Sequence, residues 1–311
     1  MICVLCGGVG AARFLSGLVG VVEAAKIVGV VNTGDDTVLH GLTICPDLDT
    51  VTYTLAGLVN PETGWGLEGD SFRAMGALER FGGASWFRLG DLDLATHLYR
   101  SGRLAEGASL SEVAGEVAAG LGVAVRLLPM SDDPVRTRVR LRGGEEVAFQ
   151  DYFVRLRHSV EVEAVRFEGV EAARPAPGVL EALESADAVV IAPSNPVVSI
   201  GPVLAVPGVS DTLARRRPSV VAVSPIVAGA ALKGPADRLM RELGEDPSAV
   251  GVARRLAPVC GTLVVDTADV ALAGAIEETA VGCVVTDTIM SSPERSQALA
   301  RRVLEAVPGV G

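Results

Sequence analysis

The sequence predicts an α/β fold: a Rossmann-like, three-layer, mostly parallel sheet carrying a helical insertion. Three observations lead there. Short apolar, β-rich runs recur from residue 2 to residue 286 with helix-patterned segments between them, as in a parallel sheet covered on both faces. The first run ends in a glycine turn, Gly7-Gly8-Val9-Gly10, that opens onto a helical pattern. Between Leu48 and about Leu121 the β pattern stops and helix-like segments replace it.

Taken in order, residues 2–6 read as a buried parallel strand. Residues 11–24 carry Phe14, Leu15, Leu18, Val21 and Val22 at helical spacing, and residues 26–31 form a second β run ending at Asn32-Thr33-Gly34. Strand, turn, helix and strand make a βαβ unit with a right-handed crossover. Helices are expected over 49–58, 70–81, 91–102 and 110–121, each opening near an Asp, Ser or Thr as N-caps do. This insertion, residues 48–121, is expected to cover the loop that follows the second strand; residues 1–47 and 122–311 form the nucleotide-binding core. The β pattern returns at 123–128 and 135–141, and Arg142-Gly143-Gly144-Glu145 turns into 146–150. Strands at 160–167, 188–192, 220–223, 262–265 and 282–286 then alternate with helices near 178–185, 235–243 and 293–306.

Composition narrows the function. The 311 residues are 49% apolar, enough for a large core, and carry a net charge of −11, which offers no basic face to a nucleic acid. An acidic protein that binds anions needs local N–H groups, a few arginines or a divalent cation. No apolar run is long enough to cross a membrane and no signal peptide is recognisable, so a cytoplasmic protein is expected. Five scattered cysteines fit a reducing compartment. Cys3 and Cys6 form a C-x-x-C, but three residues apart on a strand they point to opposite faces and read as core residues.

The most informative stretch is Asn32-Thr33-Gly34-Asp35-Asp36, followed by His40-Gly41 and Cys45-Pro46-Asp47-Leu48-Asp49-Thr50. Clustered carboxylates suit Mg²⁺, and glycines at a helix start offer N–H groups to phosphate. Equally, Asp35, Asp36, Asp47 and Asp49 are residue types that cap helices and turns. The glycine turn matches a dinucleotide fingerprint only in part, because Arg13 stands where the third glycine or alanine belongs, and there is no Walker A lysine. Gly8 and Gly10 can still hold a diphosphate, with Arg13 adding charge. A second loop, Ala192-Pro193-Ser194-Asn195-Pro196, follows a strand at the carboxyl edge of the sheet, where Ser194 and Asn195 are hydrogen-bond donors for phosphate or carboxylate. Trp65, Trp86 and Arg88 in the insertion suggest either a clamp for a flat heterocycle or a small helical core. His40 and His97 read as capping or satisfied polar residues, since no base–nucleophile pair is visible.

Together these stretches resemble the 2-phospho-L-lactate transferase family of coenzyme F420 biosynthesis (CofD, or FbiA in actinobacteria). The resemblance is carried by GGVGAARFLSGL at 7–18, NTGDD at 32–36, HGLTICPDLDTVTYTLAG at 40–57, Gly64-Trp65-Gly66, residues 86–97 and APSNPVVSIGP at 192–202. The chain departs at Leu92, where a basic residue is expected. The resemblance implies a transferase moving a phosphoenolpyruvyl or 2-phospholactyl group from a guanosine-diphosphate-activated donor to the terminal ribityl hydroxyl of the deazaflavin Fo. GMP leaves and Mg²⁺ is required. It implies Mg²⁺ near Asp35, shared with Asp36 or Asp47, and Fo held by Asp49 and Arg88. Asp49 orients or deprotonates the hydroxyl, which makes Asp35 and Asp49 the catalytic candidates. Gly8, Gly10, Ser194 and Asn195 hold the diphosphate and the donor's acid group. A homodimer acting on small molecules is expected. The Ala-, Arg- and Val-rich composition points to a high-GC bacterium, and bacterial members of the family favour the enolpyruvyl donor.

Two other readings stand beside this one. A nucleotide-sugar-binding regulatory protein of the same fold would lack the PDLDT and WFRLGD blocks present here. An NAD-dependent oxidoreductase would carry a complete G-x-G-x-x-G and a single acid after the second strand; Arg13 and the Asp35-Asp36 pair fit neither.

Overall fold

Seven short runs of Val, Ile, Leu, Cys and Ala supply a central all-parallel sheet. They are β1 (Ile2–Cys6), β2 (Ile27–Val31), β3 (Arg126–Pro129), β4 (Ala188–Ile191), β5 (Val220–Val223), β6 (Thr262–Asp266) and β7 (Gly282–Thr286). Their spatial order is β7-β6-β5-β4-β1-β2-β3, and every neighbouring pair is parallel. The computed structural model describes residues 1–309. β1, β2, β4 and β5 are buried at every position, which is why they read as continuous apolar runs. Alternate side chains feed two cores: Cys3 and Leu5 on one face, Ile2, Val4 and Cys6 on the other. The cysteines therefore lie on opposite faces, as expected. Burial pushes the Cys3 thiol up to about 12.

Helix α1 (Gly8–Val19) follows β1 directly and buries Phe14, Leu15 and Leu18. Between β2 and β3 the chain runs through α2 (Pro46–Leu55), α3 (Arg73–Glu79), α4 (Asp93–Ala105) and α5 (Leu110–Gly120). α5 opens with a complete capping box between Ser109 and Glu112. α2 starts at Pro46, earlier than the spacing suggested, so Asp47 and Asp49 lie in its first turn, where negative charge is favoured. The expected caps of α3 and α4 are exchanged. Asp70 accepts from the Leu92 and Asp93 amides at the start of α4, while Asp91 accepts from the Arg73 and Ala74 amides at the start of α3.

One expectation needs correction. The strand read at 160–167 does not join the parallel sheet; Val162–Glu168 pairs with Arg136–Leu141, and that strand with Glu146–Ala148, in a separate antiparallel sheet. The alternation in Arg136–Leu141, with arginines outward and Thr137, Val139 and Leu141 buried, is the mark of a half-exposed strand. This small sheet also covers the loop after β2: the Thr137 amide donates to the Gly34 carbonyl at 2.6 Å. The helical insertion contributes α2 to that site and, from α4, the buried Arg100 that pairs with Asp49.

Candidate functional site

The strand order reverses between β1 and β4, and at their carboxyl ends two loops are stitched together. Ser194 Oγ donates to the Gly7 carbonyl at 2.8 Å and accepts from the Gly7 amide at 3.2 Å. A side chain on Gly10 would meet the Pro193 carbonyl at 2.1 Å, so only glycine lets α1 start this close to the second loop. Asn195 Oδ1 accepts from the Val197 and Val198 amides, at 2.9 and 3.3 Å. The side-chain oxygens of Ser194 and Asn195, expected to reach a ligand, thus shape their own loop.

Asn32 leaves the end of β2 and organises the carboxylates. Its Nδ2 donates to Asp35 Oδ1 at 3.2 Å and to Asp47 Oδ2 at 2.9 Å, while its Oδ1 accepts from the Gly34 amide. Gln150 Nε2, arriving from beyond the antiparallel sheet, donates to the Asp35 carbonyl at 3.1 Å and to its Oδ2 at 3.4 Å. Asp47 in turn accepts from the Gly8 amide at the first turn of α1. Asn32 and Gln150 are organising residues that sequence reasoning missed. Asn32 was signalled by its place in the NTGDD run; nothing local marks Gln150.

Asp35, Asp36, Asp47 and Asp49 are each 7% exposed or less. Burial, then the charges of Asp47 and Asp36, hold the Asp35 carboxyl well above the usual range. Burial raises Asp47 to about 6 against the opposing bonds from Asn32 and Gly8. Asp36 is pushed up to about 7, mainly by burial, although the Cys45 thiol donates to it and Arg136 stands nearby. Its Oδ1 has no hydrogen-bond partner among the described residues. Two mutually repelling carboxylates sharing one amide suit a hard divalent cation, which takes oxygen ligands and relieves the repulsion. Asp35 and Asp47 fit that description. Asp36 faces Cys45 and Arg136, and the three do not form a close three-ligand set. Beside them a cavity of about 230 Å³ lies between the Gly34–Asp36 loop and the antiparallel sheet, lined by Arg136, Phe149 and Gln150.

Asp49, two residues beyond Asp47 on α2, sits in a different environment. Its carboxylate is paired with the buried Arg100 guanidinium and lies 3.7 Å from His97 Nδ1. His97 Nε2 is 3.3 Å from Asp93, which also accepts from the Tyr53 hydroxyl at 2.7 Å. Asp49, Asp93 and His97 are the one group of three potential ligands within mutual reach among the described residues, but the Arg100 cation already compensates Asp49. Arg88 is exposed and stacks over Phe72 at 4.1 Å; Trp86 packs edge-on against Phe87, and Trp65 is half exposed. His40 lies away from these groups, its Nε2–H donating to the Ala84 carbonyl at 2.9 Å.

The family model described as 2-phospho-L-lactate transferase CofD matches residues 2–303. The chain belongs to the CofD family. A phosphoenolpyruvate transferase of Streptomyces griseus is 45% identical over 309 residues, covering 98% of this chain and 97% of that protein. A 2-phospho-L-lactate transferase of Methanococcoides burtonii is 40% identical over 298 residues, with 96% of each covered. A crystal structure of a UPF0052-family protein from Bacillus halodurans superposes with a TM-score of 0.62 at 17% identity over 97% of this chain and 98% of that one, which shows a shared fold. The CofD-family chain is therefore a transferase of the 2-phospho-L-lactate and phosphoenolpyruvate class, built on a seven-stranded parallel sheet. No helix among its described residues is long and apolar enough to cross a membrane.

Proposed function

We propose that this CofD-family protein transfers a phosphoenolpyruvyl or 2-phospholactyl group from a guanosine-diphosphate-activated donor to the terminal ribityl hydroxyl of Fo, releasing GMP. The observation that supports this most is the Asp35–Asp47 pair at the strand-order reversal, one member bonded to the first turn of α1. Open α/β sheets bind phosphorylated ligands at that place. The acceptor hydroxyl oxygen attacks the phosphorus that bears the three-carbon acid. The bond from that phosphorus to the GMP oxygen breaks, GMP departs with the electron pair, and the hydroxyl proton passes to a neighbouring base. Positioning and charge neutralisation are the main requirements of such a transfer.

Asp35 and Asp47 hold Mg²⁺ in this reading, which supplies charge neutralisation at the diphosphate; Asp36 supports the loop from the Cys45 side. Gly8, Gly10 and Asn195 line the donor's path, with Ser194 fixing the turn and Arg13 adding charge. Asp49 and Arg88 serve Fo from the insertion. Because Arg100 holds the Asp49 carboxylate rigidly, Asp49 is better suited to orient the hydroxyl through a remaining lone pair than to remove its proton. The enolpyruvyl donor is favoured, in keeping with the Streptomyces relative. The unpaired cysteines and small soluble substrates suit the cytoplasm, and a homodimer is the expected assembly.

Purified protein, Mg²⁺, Fo and both activated donors in one reaction test this reading. Chromatography should show GMP and an anionic deazaflavin, and mass spectrometry a dominant phosphoenolpyruvyl product. A dominant phospholactyl product reverses the donor assignment; no GMP from either donor removes the reaction.

A further inference from the structure

The protein carries a net charge of −11 and only two lysines. One of them, Lys233, lies at the mouth of the glycine turn without an acidic partner among the described residues. Its ammonium donates to the Thr63 carbonyl of the insertion at 3.1 Å. It also meets the first turn of α1: a side chain at Gly64 would strike a Val9 methyl at 2.9 Å and the Lys233 ammonium at 3.2 Å. Gly64, with φ of +77°, is thus the residue that lets the three segments converge. Arg13 stands one helical turn beyond Val9 on the same face of α1, half-buried. Partial burial, then the positive charge of Arg13, pull the Lys233 ammonium below its ordinary range, and no carboxylate offsets that pull. Two cations close enough for one to shift the other, in an acidic protein and beside amides at the start of a twelve-residue helix, are disposed to receive an anion.

We propose that Lys233 and Arg13 form a two-cation clamp for a phosphate group at the first turn of α1, with the Thr63–Gly64 loop as its rim. The ligand class is a di- or monophosphate ester, and within the proposed function it is the donor's diphosphate. Lys233 comes from a loop far along the chain that no sequence motif singled out. Its bond to a backbone carbonyl is one that a phosphate oxygen, as a charged acceptor, competes for effectively.

Calorimetric titrations of wild-type protein, Lys233→Gln, Lys233→Arg and Arg13→Gln with GDP, guanosine and inorganic pyrophosphate test the clamp. Lys233→Gln should weaken GDP and pyrophosphate about tenfold, flatten the salt dependence of both, and leave guanosine and the melting temperature unchanged; Lys233→Arg should recover most of the loss. Unchanged GDP and pyrophosphate affinity in a folded Lys233→Gln protein overturns the clamp, as does an equal loss for guanosine. Failure of the guanylyl-donor reading looks different: ADP then binds wild-type protein as well as GDP, while pyrophosphate still responds to Lys233.

Discussion

Asp35 and Asp47 share the single amide nitrogen of Asn32, and their charges are expensive to keep buried together. Asp35→Asn removes one of those charges, so the melting temperature should hold or rise while GMP release falls about 10²- to 10³-fold. Wild-type-like release at limiting Mg²⁺ would take Asp35 out of the metal site. Asp49 answers differently, because its partner is a buried cation rather than another carboxylate. Asp49→Ala strands Arg100 and should cost about 3–5 kcal/mol in urea unfolding. Replacing both, as Asp49→Leu with Arg100→Met, should recover most of that loss. If the single variant is as stable as wild type, the pair is not carrying its charge buried. From spacing alone the four carboxylates looked alike; burial and partners divide them into a repelling pair, a carboxyl facing a thiol, and half of an ion pair.

At the scale of elements, the exchanged caps tie α3 and α4 into one unit. Asp70→Ala should destabilise the protein by about 1 kcal/mol and speed hydrogen exchange at the Leu92 and Asp93 amides. Asp91→Ala should instead expose the Arg73 and Ala74 amides. Exchange confined to the helix nearest each substitution in sequence would contradict the exchange of caps. Arg88, stacked on Phe72 just before α3, belongs to the same unit. Arg88→Ala should raise the Michaelis constant for Fo more than that for the guanylyl donor; equal effects mark a structural arginine. The helices themselves were legible as segments without β pattern, each opening near an Asp, Ser or Thr. Which aspartate caps which helix was not, since Asp70 and Asp91 both precede helical patterns and only the packing of α3 beside α4 assigns them.

For the molecule as a whole, the buried carboxyls set the pH response. Asp36 and Asp47 titrate at about 7 and about 6 in the folded chain against 3.8 as the ordinary value, so the folded state holds more protons across that interval. The stability linked to them is complete below about pH 4 and is lost as pH rises through 6 and 7. Carboxylates held low, such as Asp93 and Asp266, act only on the acid side of that range. In EDTA the melting temperature should therefore fall between pH 5 and pH 8. Saturating Mg²⁺ should shrink the fall by binding the ionised Asp35–Asp47 pair. A melting temperature that is flat or rises over this range in EDTA contradicts the buried, proton-holding pair.

The chain's own pattern determined the fold class and most of its elements. Runs buried on both faces must be apolar throughout, and the glycine turn, the NTGDD run and the PSNP loop lie at strand ends where the fold binds ligands. It also gathered Asp35, Asp36, Asp47 and Asp49 within fifteen residues, in one loop and the helix after it, without dividing them. Tertiary structure alone decided what covers them. The strand Val162–Glu168 read as a further member of an alternating series, and pairing with Arg136–Leu141 placed it in a separate sheet over the carboxylate loop. Gln150 reaching Asp35, Arg100 reaching Asp49 and Lys233 reaching Thr63 span 115, 51 and 170 residues. Such contacts leave no local pattern, because a side chain that meets its partner only after the chain has closed answers to no periodicity of its own segment.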